Sequence, residues 1–389
     1  MPQLHTELSH LLAAFIDHLD VPQSYYQKAA DRHRSLGEWL HRDESLVVSF
    51  DPDVRPQGSF RYGTVIRPLN SDDEYDLDNV CLLRKLSKSE ITQVELKRLY
   101  GQEIKAYARA RNMLAPVTEH NRCWRLQYAD EVNFHLDTLP CIPEDAAVIA
   151  RIGQASVAPA LAERAIAITD RRHPQYEQKT LFWPSSNPRG FALWFESRAA
   201  LGRPCGLIEN RVKASIEDVP AYEWKTTLQR SIQILKRHRD VMFRRNSDLA
   251  PISMIITNLA ARAYEGESDL ATALTNIVER MPEFVRLQRP RVPNPANPAE
   301  DYADKWSRDG RLEQNFWQWH SQVKSDVANL SSLLAGTRLE SVTRSVFDID
   351  LTEVELRRFA PRSSSIPATV KATSPLIIPS APKPWSNHG

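Results

Sequence analysis

The chain has 389 residues, with 50 Lys and Arg against 49 Asp and Glu and a formal net charge of +1 at pH 7. This length predicts two domains or one two-lobed body, and the even charge balance disfavours a binder of long nucleic acid, which usually has a basic surplus. The start of the chain lacks a signal-peptide pattern and no segment reaches the ~20 apolar residues of a membrane span, so we expect a cytoplasmic protein without membrane contact. The 4 cysteines show no Cys-x-x-Cys spacing, so we expect inert thiols rather than a metal finger.

The first half of the chain alternates between helical and strand patterns. Apolar residues recur at helical spacing over 4–19, and a second helix is predicted over about 23–40. Residues 46–50 read as a strand that leads into a turn at Gly58 and Ser59, and residues 88–111 as a helix. Residues 122–128 and 131–137 read as adjacent antiparallel strands, followed by a mixed, loop-rich stretch over 144–220.

From about residue 223 the pattern becomes helical, with predicted helices over 223–243, 252–264, 268–288 and 311–335. We expect Trp317 and Trp319 to lie in the core. Residues 288–298 contain four prolines and are predicted to form an ordered loop or a linker. Residues 360–389 contain six prolines and no acidic residue, a composition that predicts a flexible tail.

Three carboxylates form the strongest chemical pattern. Asp76 and Asp78 open a predicted strand, where side chains two apart share one face, and Asp137 lies on the polar face of another strand. If these strands are neighbours, the three carboxylates converge and raise each other's pKa unless cations neutralise them. A pair of Mg²⁺ ions, with Mn²⁺ as an alternative, suits such a cluster and clamps the attacking and leaving oxygens of a phosphoryl transfer. The competing interpretation is an Asp-x-Asp of an ordinary surface strand.

A Gly-Ser turn precedes the acids. Gly58 lets the backbone approach a ligand closely, and Ser59 adds a hydroxyl, so Gln57, Gly58 and Ser59 are predicted to contact a triphosphate. The competing interpretation is a plain turn. Ser253 begins a predicted helix, whose free N–H groups suit a phosphate, although a simple capping serine fits the pattern nearly as well. His135 is expected to be structural, because Mg²⁺ prefers oxygen ligands.

These motifs resemble those of the bacterial cGAS/DncV-like nucleotidyltransferases, or CD-NTases. The resemblance covers roughly residues 5–355 and rests on four segments, which are 57–64 with 76–78, 231–240 with 251–253, 187–191, and the Asn-Pro loop 294–298. It implies an α/β (α+β) fold with a polymerase-β-like core on a mixed sheet over 1–220, whose two N-terminal helices brace the back of the sheet. It also implies a helical, oligoadenylate-synthase-like second domain over 221–358, a tail over 359–389, and an active-site cleft between the two lobes.

The same resemblance implies roles for particular side chains. Lys236 would bind the triphosphate, whereas Arg237 and Arg239 are expected on a solvated face. The Asn-Pro loop 294–298 would lie near the nucleotide pocket, with polar side chains able to read a base edge. Asp137 would assist deprotonation of the attacking hydroxyl.

The implied activity is Mg²⁺-dependent synthesis of a cyclic di- or trinucleotide from ATP, GTP or another nucleoside triphosphate, with pyrophosphate release. In anti-phage signalling such a product activates a downstream effector protein. Two alternatives remain open, a template-independent enzyme that extends RNA and an inactive relative acting as a scaffold or antitoxin. The sequence leaves open the bases, the linkage, the ring size, the trigger and the oligomeric state.

The chain ends in Gly389, on the predicted tail. A terminal glycine on a flexible arm suits a ubiquitin-activation-like enzyme, which adenylates a carboxylate and joins it to other proteins. An ordinary disordered end is the equal alternative.

Overall fold

The computed structural model describes residues 2–70, 73–128, 134–201, 219–220, 225–333 and 339–359. The predicted tail over 360–389, including the Gly389 conjugation site, lies outside the described residues. The expected α/β fold, with a mixed sheet and a helical C-terminal region, is confirmed.

Within the described residues the main sheet has seven strands, and the strands of its central path follow the order β1-β2-β5-β4-β3. Among the strand pairs of the described segments, only β2 and β5 run parallel, and β6 extends the sheet from β5 and pairs with β7. Pro52 and Pro56 fit into β1 because β1 is an edge strand, where a missing N–H breaks no inner ladder. The strands are β1 (Pro52–Gln57), β2 (Tyr75–Leu83), β3 (Thr118–Glu119), β4 (Trp124–Tyr128), β5 (Phe134–Pro143), β6 (Ile166–Ile168), β7 (Ser185–Ser186) and the separate hairpin β8 (Pro293–Asn294) and β9 (Asn297–Asp301).

Helices cover one face of the sheet and form the second half of the chain. They are α1 (Pro2–Leu19), α2 (Gln23–His41), α3 (Gly58–Tyr62), α4 (Gln93–Ala110), α5 (Ala146–Gln154), α6 (Pro159–Ala162), α7 (Pro188–Ala199), α8 (Thr227–Met242), α9 (Ser253–Ala263), α10 (Leu270–Arg280), α11 (Gly310–Leu333), α12 (Leu339–Val342) and α13 (Glu353–Phe359). Short 3₁₀ helices lie at Val48–Phe50, Ser247–Leu249, Met281–Phe284 and Asp304–Ser307, and a π-helical turn at Thr343–Phe347. Within the described residues, none of the helices combines the length and apolar character needed to cross a bilayer.

Two large apolar clusters hold the structure together. One packs α2, α3 and α4 against one face of the sheet, and the other packs α7 to α11 against each other. The first helix, α1, belongs to the helical cluster, because its apolar stripe, including Leu11 and Phe15, is buried there. The expectation that both N-terminal helices brace the sheet is therefore wrong for α1 and holds for α2.

Several local predictions are also wrong. Residues 46–50 are not a strand, because the chain folds into a 3₁₀ turn that ends at Asp51 in the left-handed region (φ 55°), and β1 starts only after it. The helix predicted over 268–288 stops at Arg280 and tightens into a 3₁₀ turn that contains Pro282. Trp319 is fully buried as expected, but Trp317 is 36% exposed, because neighbours two apart on a helix face different directions.

Candidate active site

The parallel pairing of β2 with β5 brings the predicted acids together. In this register Asp78 lies beside Asp137 and Asp76 lies beside His135. Neighbouring residues of paired strands point to the same face of the sheet, and Asp76 and Asp78 share that face by their spacing. The three carboxylates therefore converge at one place on the sheet.

The electrostatics of Asp78 reflect this crowding. Burial, followed by the charges of Asp76 and Asp137, raises the pKa of Asp78 from 3.8 to about 7. Asp76 is mostly exposed, with 70% of its side chain open to solvent. His135 next to it, when protonated, pairs with Glu74 and, from Nδ1 at 3.7 Å, with Asp76. Its expected structural role stays a prediction.

Asp137 is held by an arginine on the adjacent strand. Arg125 of β4 lies opposite Asp137 and donates two hydrogen bonds to it, from Nε to Oδ1 at 2.7 Å and from Nη2 to Oδ2 at 2.8 Å. Among the residues that the structure describes, no three His, Cys, Asp or Glu side chains are arranged to hold a metal ion. Both oxygens of Asp137 accept from Arg125, and the metal cage expected from Asp76, Asp78 and Asp137 stays a prediction.

The donor set itself fits a hard divalent cation. It consists of carboxylate oxygens, the ligands that Mg²⁺ prefers, and a bound cation would offset the burial and the charges of Asp76 and Asp137 that raise the pKa of Asp78. Asp76, Asp78 and Asp137 are the residues that would hold the ions.

The Gly-Ser turn lies directly against the acids. Gln57 ends β1 opposite Asp78, and Gly58 follows with φ 69°, a conformation that favours glycine. A Cβ at Gly58 would lie 2.0 Å from Oδ2 of Asp78, so only glycine fits between the turn and the carboxylate. Ser59 is the next residue and also lines the cleft.

Lys236 comes from the helical half of the molecule. Its Nζ donates to the carbonyl oxygen of Thr64 at 2.8 Å, and Gln229 and Gln233 of the same helix donate to the carbonyls of Tyr62 and Val65. These bonds tie α8 to the segment after the Gly-Ser turn. Burial, and then the charge of Arg239, lowers the pKa of Lys236 to about 8.

The sequence predicted a solvated face for Arg237 and Arg239, but both side chains are largely buried. Arg237 is only 5% exposed and donates to the carbonyl of Arg67 at 2.7 Å. Arg239 donates to Oγ of Ser253 at 2.8 Å, which links α8 to the start of α9. The partners Arg67 and Ser253 lie on other segments of the chain, so helical periodicity gave no sign of these contacts.

One cleft of about 430 Å³ contains the predicted site residues apart from Asp137, which lies on the next strand. The cleft is lined, among others, by Gln57, Gly58, Ser59, Asp76, Asp78, Lys236 and Ser253. It also contains residues that the sequence did not single out, including Tyr62, Thr64, Ser186, Glu300 and Tyr302.

The two Asn-Pro motifs are joined by hydrogen bonds next to the cleft. Asn187 caps α7 by accepting from the N–H of Gly190 at 2.8 Å and donates to the carbonyl of Ala296. Asn294 donates to Glu300 at 2.7 Å, and Ser186 donates to the same carboxylate at 2.6 Å. Glu300, and neither asparagine of the loop, lines the cleft.

Known proteins resemble this chain in sequence. The family model described as "Cyclic GMP-AMP synthase DncV-like, nucleotidyltransferase domain" matches residues 52–140, from β1 to β5. The chain is 26% identical over 333 residues to a c-di-GMP synthase of Roseivirga ehrenbergii, covering 84% of this chain and 80% of the relative. It is 23% identical over 335 residues to the cyclic dinucleotide synthase CdnG of Bradyrhizobium diazoefficiens, covering 80% and 73%.

The fold is also similar to a solved structure. The CD-NTase CdnG of Bradyrhizobium diazoefficiens, determined in complex with GTP, superposes with a TM-score of 0.63 at 19% identity, covering 90% of this chain and 98% of that one. The matched segment holds the Gly-Ser turn and the three acids, and the overall fold extends the match to the helical half. Residues 52–140 therefore match a DncV-like nucleotidyltransferase domain, and the chain as a whole is similar to the CD-NTases.

Proposed function

We propose that this chain is a cyclic dinucleotide synthase that uses GTP, with ATP as the second candidate substrate. The observation that carries the proposal is the single cleft in which the Gly-Ser turn, Asp76, Asp78 and Lys236 meet. Its support from relatives is the 26% identity to a c-di-GMP synthase and the fold of a CD-NTase that was solved with GTP.

The role of each site residue follows from the chemistry of its side chain. Lys236 and the hydroxyls of Ser59 and Ser253 bind the triphosphate of the donor nucleotide, whose α-phosphate then faces the acids. Asp76, Asp78 and Asp137 would hold Mg²⁺, which would neutralise the triphosphate and lower the pKa of the attacking sugar hydroxyl. The hydroxyl proton passes to a carboxylate oxygen of Asp137, which Arg125 orients. The new O–P bond forms as the bond to pyrophosphate breaks.

Synthesis of a ring requires two such transfers. The first transfer joins two nucleotides into a linear intermediate, which keeps its own 5′-triphosphate. The intermediate then turns in the cleft so that this triphosphate takes the donor position, and a second attack closes the ring. We place the product in bacterial antiviral signalling, where it activates an effector protein.

The test is incubation of the protein with each labelled triphosphate, alone and mixed, in Mg²⁺, followed by phosphatase. A small product that resists phosphatase supports the cyclic dinucleotide, and mass spectrometry gives its bases. Asp76→Asn with Asp78→Asn should abolish the product, whereas Asp73→Asn, an exposed carboxylate just before β2, should not. An extended RNA would indicate the polymerase alternative, and absence of any product would favour the scaffold.

A further inference from the structure

Among the described residues, two positively charged side chains line the cleft, Lys236 and Arg239. Acidic side chains outnumber them in the same lining, which contains Glu74, Asp76, Asp78, Asp240 and Glu300. A triphosphate that enters the cleft therefore meets a fixed cation of the lining only along α8, where Lys236 and Arg239 are three residues apart and share one face of the helix. The proposed function uses Lys236 and leaves Arg239 without a role.

Arg239 is held by the start of α9 and by its neighbour in sequence. Its Nη1 donates to the carbonyl oxygen of Pro251 at 3.1 Å and to Oγ of Ser253 at 2.8 Å. Its Nε donates to Oδ1 of Asp240 at 2.7 Å, and its Nη2 contacts the same oxygen. Nη2 carries two hydrogens, so at least one of them has no acceptor among the described residues.

The contact with Arg239 also determines what Ser253 can bind. A hydroxyl has one hydrogen to donate, and Oγ of Ser253 already accepts from Arg239. No acceptor for the hydroxyl hydrogen of Ser253 lies among the described residues. Because hydrogen bonds in a chain polarise one another, a hydroxyl that accepts from a guanidinium group is a stronger donor. Arg239 and Ser253 thus offer two unused hydrogens and one positive charge on the cleft lining, a combination that suits phosphate oxygens.

Lys236 and Arg239 contact different parts of the cleft. Lys236 binds the segment after the Gly-Ser turn, and the charges of Asp76 and Asp78 act on its ammonium group. Arg239 lies three residues later, about 4.5 Å further along the axis of α8, and its partners outside α8 lie at the start of α9. The α-phosphate of the donor nucleotide faces the acids, so we expect its β-phosphate and then its γ-phosphate to follow in the direction from Lys236 to Arg239.

We propose that Arg239 binds the terminal phosphate of the donor nucleotide, with the hydroxyl of Ser253 as the second donor, and that this pair selects a triphosphate over a diphosphate. The inference rests on the proposed function and adds a specificity-determining residue to it. Lys236 binds the phosphates that both kinds of nucleotide carry. Asp240 keeps the guanidinium group of Arg239 in place.

The experiment restricts each nucleotide to one role. 2′,3′-Dideoxy-GTP is only a donor, because it has no sugar hydroxyl that could attack, and GMP is only an acceptor, because it has no pyrophosphate to release. Their product is a linear dinucleotide, formed as the GMP hydroxyl attacks the α-phosphate and pyrophosphate leaves. 2′,3′-Dideoxy-GDP competes with the donor, and its inhibition constant at saturating GMP measures binding without the terminal phosphate. The corresponding adenine nucleotides are tested in parallel.

For the unmodified chain, we expect the KM of the dideoxy triphosphate to be at least about ten-fold below the inhibition constant of the dideoxy diphosphate. Arg239→Gln should close most of this gap by raising that KM, with little change in kcat or in the inhibition constant. Ser253→Ala should narrow the gap by about five-fold. Lys236→Ala should instead raise both constants together and leave the gap, because Lys236 binds phosphates that both nucleotides carry.

Arg244→Gln is the matched control for the loss of one positive charge. Arg244 follows the end of α8, its side chain is 47% exposed, and it pairs with Asp348. This variant should keep the gap of the unmodified chain. The unfolding temperature of each variant shows that it is folded.

The outcomes separate this inference from the proposed function. A gap that persists in folded Arg239→Gln, or in Ser253→Ala should Arg239→Gln not fold, would overturn the assignment while the dinucleotide still forms. Absence of the gap from the unmodified chain would do the same. A complete lack of dinucleotide from the unmodified chain with the guanine and the adenine nucleotides would overturn the proposed function and, with it, this inference.

Discussion

Replacement of Asp78 by Asn should stabilise the metal-free protein although it removes an acid of the proposed site. Burial and the charges of Asp76 and Asp137 raise the pKa of Asp78 from 3.8 to about 7, so the folded protein resists its ionisation. Three pKa units at 1.36 kcal/mol each correspond to about 4 kcal/mol at most. The side chain keeps partial contact with water, so we expect a gain of about 2–4 kcal/mol in the free energy of unfolding at pH 8.

The stability difference between the two proteins should depend on pH in a direction set by the pKa shift of Asp78. The pKa of this carboxyl is higher in the folded than in the unfolded protein, so its contribution to stability is complete below about pH 4 and is lost as the pH rises through about 7. The advantage of Asp78→Asn should therefore be largest at pH 8 and should shrink steadily towards pH 4. Asparagine does not titrate, so the variant itself lacks this dependence.

The assay is urea unfolding in EDTA at several pH values, with Asp73→Asn as an exposed control that should match the unmodified protein. Added Mg²⁺ should then stabilise the unmodified chain more than the variant, because ions that bind only the folded state shift the unfolding equilibrium. Equal unfolding free energies for the unmodified protein and Asp78→Asn at pH 8 in EDTA would refute the reasoning.

Three further predictions concern the same cleft. Asp76→Ala with Asp78→Ala should lower the rate of synthesis by at least about 10³-fold, on the order of 4 kcal/mol of barrier, and more than a tenth of the activity remaining would contradict the acid assignment. Lys236→Ala should raise the KM for the nucleotide by about ten-fold. In the unmodified enzyme this KM should increase above about pH 8, because Lys236 then loses its proton. An unchanged KM in the variant would remove Lys236 from the triphosphate site. Gly58→Ala should cost about 1–2 kcal/mol of stability by denaturation and at least about 10²-fold in rate, because its Cβ meets Asp78 and its φ is positive; normal activity would show that the turn relaxes.

The local sequence pattern was sufficient to predict the strands that carry the three acids. Alternation along β2 and β5 placed Asp76, Asp78 and Asp137 on polar faces, and a glycine before a serine marked the turn. The amphipathic spacing of α8 and α11 predicted both helices to within a few residues. These features depend on neighbours within a few positions, which is the range over which strand and helix periods act.

The tertiary structure decided which distant residues those elements contact. Arg125 reaches Asp137 only through the β4–β5 register, and Lys236 meets the carbonyl of Thr64 across 172 positions of sequence. The packing of α1 in the helical cluster and the entry of Glu300 into the cleft depend likewise on which surfaces come together. A periodic pattern specifies which face of an element is buried but not its partner, because the partner is chosen by the packing of distant segments.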